Sequence, residues 1–322
     1  MERIPQVAAA IALPVAALLA YISAAEWLIS RTPDAFRTRL RPWIWVAPAL
    51  AFVAFFLIIP SLQTFVLSLE DATSTKPVGF DNYVAVAADP AVLIAVRNNI
   101  LWIALFTGMV LLVGLATAIL ADRVPYEGPA KSLLFLPQAI SFTAAATIWK
   151  FMYAYQPPGI DQTGTLNAVV TTFGGEPQPW LTLAPGNNLA LIFVGVWGWA
   201  GFATVILSAA LKGIPVELLE AARVDGAGEV RVFGSITLPL LLPTITVVAT
   251  TLVIFALKAF DVVYVMTNGA FDTEVIALRQ YKEAFIVRNI GRASAIAILL
   301  LAAIIPVLLF NIRRFRAQEA IR

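Results

Sequence analysis

The chain has 322 residues, 60% hydrophobic and 13% charged, with a mean hydropathy of +0.84; soluble domains carry about 25% charged residues, so this composition belongs to a membrane protein. A net charge of +2 removes any general case for binding nucleic acid or another polyanion. Without Cys or His there is no disulfide, thiolate, imidazole or Cys/His zinc chemistry, and without a G-x-x-x-x-G-K-[ST] loop the chain has no nucleotide cradle of its own.

A membrane-crossing α-helix needs about 20 mostly apolar residues. Seven stretches meet or approach that: 7–28, 43–68, 98–121, 132–154, 189–211, 238–262 and 293–312. They predict an all-α polytopic bundle of about seven transmembrane helices. The first follows Arg3 and holds one charge, Glu26; it runs past Ser23–Ala25 with no cleavage pattern, so it reads as a retained helix rather than a signal peptide. Pro14, Pro48, Pro60, Pro137, Pro243 and Pro306 lie inside spans, where neighbouring helices and water can satisfy the freed carbonyls.

Orientation follows from the basic residues. One set of loops carries Arg31, Arg37, Arg39, Arg41, then Arg123, Lys131, then Lys212, Arg223, Arg231, then Arg313, Arg314, Arg316 and Arg322. The other carries only Arg3, Lys76, Arg97, Arg279, Lys282, Arg288 and Arg292. The richer set is expected in the cytoplasm, with the N-terminus outside and the C-terminus inside. The outer loops, 69–97, 155–188 and 263–292, are the longer ones, and 155–188 has no Lys or Arg; its Pro, Gly, Thr and Asn read as turns around one short amphipathic helix.

The stretch 212–237 is too long and too charged for a mere connector. Pro215 is suited to a helix start. In V-E-L-L-E-A-A-R-V, Val216 to Val224, Glu217 and Glu220 lie on one face near the end where the helix dipole favours anions. Asp225-Gly226-Ala227-Gly228 breaks the helix, and a second short helix is expected from Glu229 to Ile236, with Val230 and Phe233 on one side. An ordinary amphipathic surface helix is the alternative reading.

Glu220, Ala221, Ala222, Gly226, Ile236, Leu238 and Pro239 together resemble the E-A-A loop of ABC importer permeases, in which E-A-A is followed by G and then by I-x-L-P at fixed spacing. The resemblance covers about residues 40–318 and implies a six-helix type I permease core at 41–318, with an extra helix and linker at 1–40. It also implies that the 212–237 loop docks on an ATP-binding subunit through Glu217, Glu220, Ala221, Ala222, Asp225, Gly226, Phe233 and Pro239, with Asp225 capping the turn that Gly226 makes. "FALKAFDVVYVMTNG", Phe255 to Gly269, is similar to the sugar permeases related to the maltose system, as are Leu278, Tyr281, Ala284-Phe285 and the "GRASAIAI" run from Gly291. Where those permeases continue with G-G-P, this chain has Gly269-Ala270-Phe271, as in the α-glucoside branch.

Sugars are held by aromatic faces and a few polar groups, and polar residues within a bilayer mark pathways. Trp197 and Trp199 sit among Gly195, Gly198 and Gly201, and Lys258, Asp261 and Tyr264 are spaced to share one helix face. These five are the candidate pathway residues. Lys258 also fits a snorkelling position, or a structural pair with Asp261. Trp149 and Tyr153, with Lys150 between them, fit an interfacial aromatic belt better than sugar contact.

By resemblance the chain is not itself an enzyme and binds no cofactor or metal, with ATP and Mg held on partner subunits. The implied partners are a homodimer of ATP-binding subunits, a second related permease, an extracytoplasmic sugar-binding protein and the lipid of a bacterial or archaeal plasma membrane. The competing reading is a self-contained ion-coupled sugar transporter, for which only Asp261 and Glu26 could serve as intramembrane relays and for which no internal repeat is visible.

Overall fold

The computed structural model describes residues 3–122 and 124–319. Arg123 and Arg322, used above for orientation, lie outside the described residues, as do the side chains of Arg3, Arg314 and Arg316. The protein is an all-α polytopic membrane protein and divides into two units, Met1–Gln63 and Thr64–Arg322.

In the first unit, α1 (Arg3–Arg31) is followed by α2 (Asp34–Val53), a π turn at Ala54–Ile58 and the start of α3 (Ile59–Ser68). Arg37 closes α1: its Nε donates to the Ile29 carbonyl at 3.1 Å and its Nη2 to that of Ser30 at 3.0 Å, satisfying carbonyls left over at the helix end. The Tyr21 hydroxyl donates to the Ile44 carbonyl, tying α1 to α2. No residue of α2 is buried, which for so apolar a helix means a surface made for lipid or another chain.

The second unit continues through α4 (Asp81–Ala88), α5 (Pro90–Leu101), a π turn at Trp102–Phe106, α6 (Thr107–Ala121), α7 (Glu127–Phe135), α8 (Phe142–Met152), α9 (Thr165–Thr172), α10 (Gly186–Lys212), α11 (Val216–Val224) and α12 (Glu229–Val232). A π turn at Phe233–Thr237 leads into α13 (Leu238–Leu257), and α14 (Asp261–Met266), α15 (Ile276–Lys282), a π turn at Glu283–Val287 and α16 (Ile290–Glu319) complete it. Among the described residues six helical stretches are long and apolar enough to cross a membrane, or seven if the bent pair α7–α8 counts as one.

The core is built on α10, whose small residues let neighbours approach closely. A Cβ on Gly201 would lie 2.1 Å from the Leu134 carbonyl oxygen, and one on Gly114 would lie 2.5 Å from the Ala203 methyl. Gly195 faces the buried rings of Trp102 and Phe106. The Thr117 and Thr204 hydroxyls meet at 2.6 Å across the α6–α10 seam.

Two expected spans are not continuous. The 132–154 stretch bends by 97° between α7 and α8. Pro137 sits in a 3₁₀ turn, and Ser141 then caps α8 by accepting the Ala144 N–H at 3.2 Å. The 238–262 stretch starts earlier, because α12 and the π turn run directly into α13; Pro239 cannot donate to the Ser235 carbonyl, and the turn widens just ahead of it. It also stops earlier, at Leu257, with Phe260 at φ −143°, ψ −61° before α14 begins.

Candidate functional site

Pro215 takes the N-cap of α11, one position before the first helical residue, and none of α11 is buried. The helix ends as its sequence suggests. Gly226 is left-handed at φ +83°, the Ala227 N–H bonds the Ala222 carbonyl at 3.0 Å and the Gly226 N–H bonds that of Arg223 at 3.0 Å, a Schellman turn. Asp225 occupies the C-cap. The turn brings α11 and α12 together, and the Arg223 guanidinium binds the Glu229 carboxylate at 2.7 Å, which raises the Arg223 pKa. Glu217, Glu220, Ala221 and Gly226 are exposed, as are Val224 (87%) and Val230 (88%), while Ala222 and Phe233 are half-buried. Leu219, Arg223, Val230 and Phe233 help to line a cavity of about 380 Å³ that reaches down to Ile119 and Leu211. The segment thus offers apolar side chains and acids together, with α11 and its turn outside the candidate spans.

Just behind it lies a charge cluster. Lys131 binds Asp122 at 2.6 Å and Glu127 at 2.5 Å, and also contacts the Ser208 hydroxyl. Lys212, the last residue of α10 and four residues before α11, binds Glu127 at 2.5 Å. The helix that leads into the projecting segment is therefore tied to the first turn of the bent α7–α8 pair.

Along α8 and α14 a second feature emerges. Thr143, Thr147 and Lys150 recur at helical spacing on α8 and are exposed within an otherwise apolar helix. The Thr143 hydroxyl donates to the Asp261 carboxylate at 3.2 Å, and the Lys150 ammonium donates to the Val265 carbonyl at 3.0 Å, so the two helices run side by side. Asp261 thus lies on this line, and Lys258 and Tyr264, three residues to either side of it, are exposed as well. Phe260 stacks on Tyr264 at 5.1 Å, with Tyr281 edge-on to both. The result is a polar and aromatic stripe.

Sequence spacing placed Lys258 and Asp261 on one helix face, but the break puts them on either side of a helix end, and among the described residues no ion pair joins them. The break has a cause far along the chain. The Asn99 amide donates to the Ala256 carbonyl at 3.0 Å and the Leu257 carbonyl at 3.2 Å, and its oxygen accepts the Ile276 N–H at 2.8 Å. Asn98 holds the Asp272 and Glu274 carbonyls, and Asn187 and Asn188 hold those of Phe271 and Asp272. Four asparagines thereby fix a loop in which Asn268, Gly269, Phe271 and Asp272 are all left-handed.

Trp197 and Trp199 are half-buried wall residues rather than part of the exposed stripe. Trp197 meets Trp149 edge-on at 5.7 Å, and Trp199 packs among Phe142, Phe202 and Phe255 with a buried Nε1 that lacks a hydrogen-bond partner. Trp149 (7% exposed) and Tyr153 (5%) are core residues, so the expectation of an interfacial belt does not hold for them. Tyr153 donates its hydroxyl to the Ala190 carbonyl at 3.2 Å. Thr143 and Thr147 are not among the residues expected from the sequence, although their spacing with Lys150 is visible there.

Residues 100–321 match the family described as binding-protein-dependent transport system inner membrane component. The osmoprotective compounds uptake permease protein GgtC of Synechocystis sp. is 51% identical over 279 residues, covering 87% of this chain and all of that one. The alpha-glucoside transport system permease protein AglF of Rhizobium meliloti is 42% identical over 275 residues, covering 85% and 82%. Among solved structures, a bacterial alginate ABC transporter in complex with an alginate pentasaccharide-bound periplasmic protein has a chain that superposes with a TM-score of 0.73 at 21% identity, over 86% of this chain and 94% of that one; that likeness bears on the fold.

Proposed function

The chain belongs to the family of binding-protein-dependent transport system inner membrane components, and from that premise we propose that it lines the pathway of an ATP-driven importer for a neutral sugar, an α-glucoside or another di- or oligosaccharide. The observation that carries this reading is α11: a helix with no buried residue, ended by a left-handed glycine and projecting beyond the spans, with Glu220 and Val224 free to meet a soluble partner. That partner is a homodimer of ATP-binding subunits, which supply ATP and Mg. One such helix per chain calls for a second, related permease to fill the other docking cleft, and an extracytoplasmic sugar-binding protein delivers cargo at the opposite end. The α11 end is cytoplasmic, the N-terminus outside, and residues 1–40 form an addition to a permease core at 41–318.

Nucleotide-driven closure of the ATPase pair moves α11, and Lys212 and Glu127 pass that movement to the α7–α8 elbow. The elbow carries Thr143, Thr147 and Lys150, so the stripe facing Asp261 and Tyr264 opens or closes with it. Trp197 and Trp199 support its wall. The name of one relative, an alpha-glucoside transport system permease protein, agrees with a neutral polyhydroxylated cargo. Ion-coupled transport by the chain alone is not favoured: the Glu26 carboxylate lies 3.9 Å from Arg41, and Asp261 is engaged by Thr143.

The test is ATP-driven uptake by the assembled complex in proteoliposomes. Glu220→Lys and Gly226→Val are expected to lower uptake at least about tenfold and to weaken co-purification of the ATPase subunits, a loss of about 1.4 kcal/mol or more in docking. Gradient-driven uptake by this chain alone would overturn the reading.

A further inference from the structure

At the α9 end of the second unit, past the last turn of α8, lies a cavity of about 670 Å³ lined by Thr147, Lys150, Tyr155, Trp180, Thr182 and neighbouring residues. Small-molecule sites have volumes of about 300–1,000 Å³ and combine aromatic walls with a few polar groups. Trp180 and Tyr155 supply rings, and Lys150, Thr147 and Thr182 supply hydrogen-bonding groups. No Asp or Glu lines it and a Lys ammonium does, so the lining offers no ligand set for a metal ion.

The wall is preorganised. Trp180 donates its indole N–H to the Asn167 side-chain oxygen at 3.0 Å, and Asn167, fully buried, also accepts the Gln178 N–H at 2.9 Å and donates to the Ala154 and Gln178 carbonyls at 3.1 and 3.0 Å. One asparagine thus pins both ends of the 154–178 excursion and orients the indole, whose ring centre lies 6.1 Å from that of Tyr153. Holding an aromatic face still before a ligand arrives is what a binding platform requires.

The cavity is also continuous with the stripe. Thr147, Lys150 and Val265 belong to both, and Lys150, with one N–H on the Val265 carbonyl, keeps two donors free.

We propose that this cavity is an entry station for the sugar at the outer mouth of the pathway, where Trp180 stacks on the apolar face of a pyranose ring and Lys150 and Thr182 bond its hydroxyls before the sugar moves down to Thr143 and Asp261. The proposal rests on the sugar-importer reading and adds the place where cargo is first held.

The experiment uses the full complex in proteoliposomes with its binding protein, and [14C]trehalose and [14C]maltose as probes. Trp180→Ala is expected to reduce uptake about tenfold through the lost stacking surface. Trp180→Phe, which keeps a ring, is expected to stay within about twofold of the unsubstituted complex. ATP hydrolysis stimulated by the loaded binding protein is expected to persist in both, because the platform holds cargo rather than docking the ATPase. Should Trp180→Ala fail to assemble, Tyr155→Ala, on the exposed second ring of the lining, decides, with a several-fold fall expected. Full uptake by an assembled Trp180→Ala complex, or by Tyr155→Ala where Trp180→Ala does not assemble, overturns the station and leaves the importer reading standing. Failure of the unsubstituted complex to take up either sugar overturns the α-glucoside reading, and the station with it.

Discussion

Single side chains decide where the backbone of this protein departs from regular helix. Asn99 is fully committed, with two donors on the last two carbonyls of α13 and its oxygen on the Ile276 N–H. Leucine there would keep the branched shape and leave the Leu257 carbonyl and the Ile276 N–H unmatched, each at about 1–3 kcal/mol, while the Ala256 carbonyl would keep only the Ala259 N–H. Asn99→Leu is therefore expected to lower the melting temperature of the purified complex and to reduce uptake together; a variant that melts like the parent would mean that water takes over those bonds. Gly226 works differently: nothing lies within 4 Å of its missing Cβ, so the demand is on φ alone. Valine at φ +83° costs about 1–2 kcal/mol in backbone strain, enough to shift the turn and rotate α11 away from its partner.

Elements were legible where they obey one local rule. Hydropathy marks the spans, because a lipid-facing helix such as α2 needs only to be apolar. Turn chemistry marks the end of α11, because Gly226 sits where a Schellman turn needs it. Pro137 hints at the α7–α8 elbow. The break after Leu257 has no such mark: no proline or glycine stands at Lys258–Phe260, and the residue that makes it, Asn99, is 158 positions away from Leu257. For that reason spacing alone sets Lys258 and Asp261 on one helix face. The tryptophans carry no decisive mark either, since an indole at helical spacing serves a packed wall as readily as a sugar site. What pairs α8 with α14 is polar and short, and it can be tested as a unit. Asp261→Asn and Thr143→Val are expected to reduce sugar uptake about tenfold while leaving ATPase co-purification intact. Equal loss of both would show that the pair serves folding rather than passage.

At the scale of the whole molecule, ion pairs gather at the two ends of the second unit, and among the described residues none involves Lys150, Lys258 or Asp261 of the stripe. At one end Asp122, Glu127, Lys131 and Lys212 brace the base of α11. At the other Asp89 caps α5, accepting the Ala91 N–H at 2.9 Å, and also holds Arg279 at 2.9 Å and Arg292 at 2.5 Å, while Arg279 reaches the fully buried Glu283 at 2.7 Å. This second network joins α5, α15 and α16, and it sits beside the asparagine-held loop. Burial pushes the Asp89 carboxyl up, but the Ala91 N–H and the two guanidiniums outweigh it, and the net pKa is lowered. A carboxylate whose folded pKa lies below its unfolded one stabilises the fold above the ordinary carboxylate range, and that stabilisation fades as acid protonates the folded state. Asp89→Asn is thus expected to lower the melting temperature of the detergent-solubilised complex at pH 7. The gap between variant and parent is expected to narrow as pH falls below about 4. Melting curves for both proteins across that range check it; a gap that stays constant down to about pH 3 would mean that Asp89 acts through its shape as an N-cap and not through its charge.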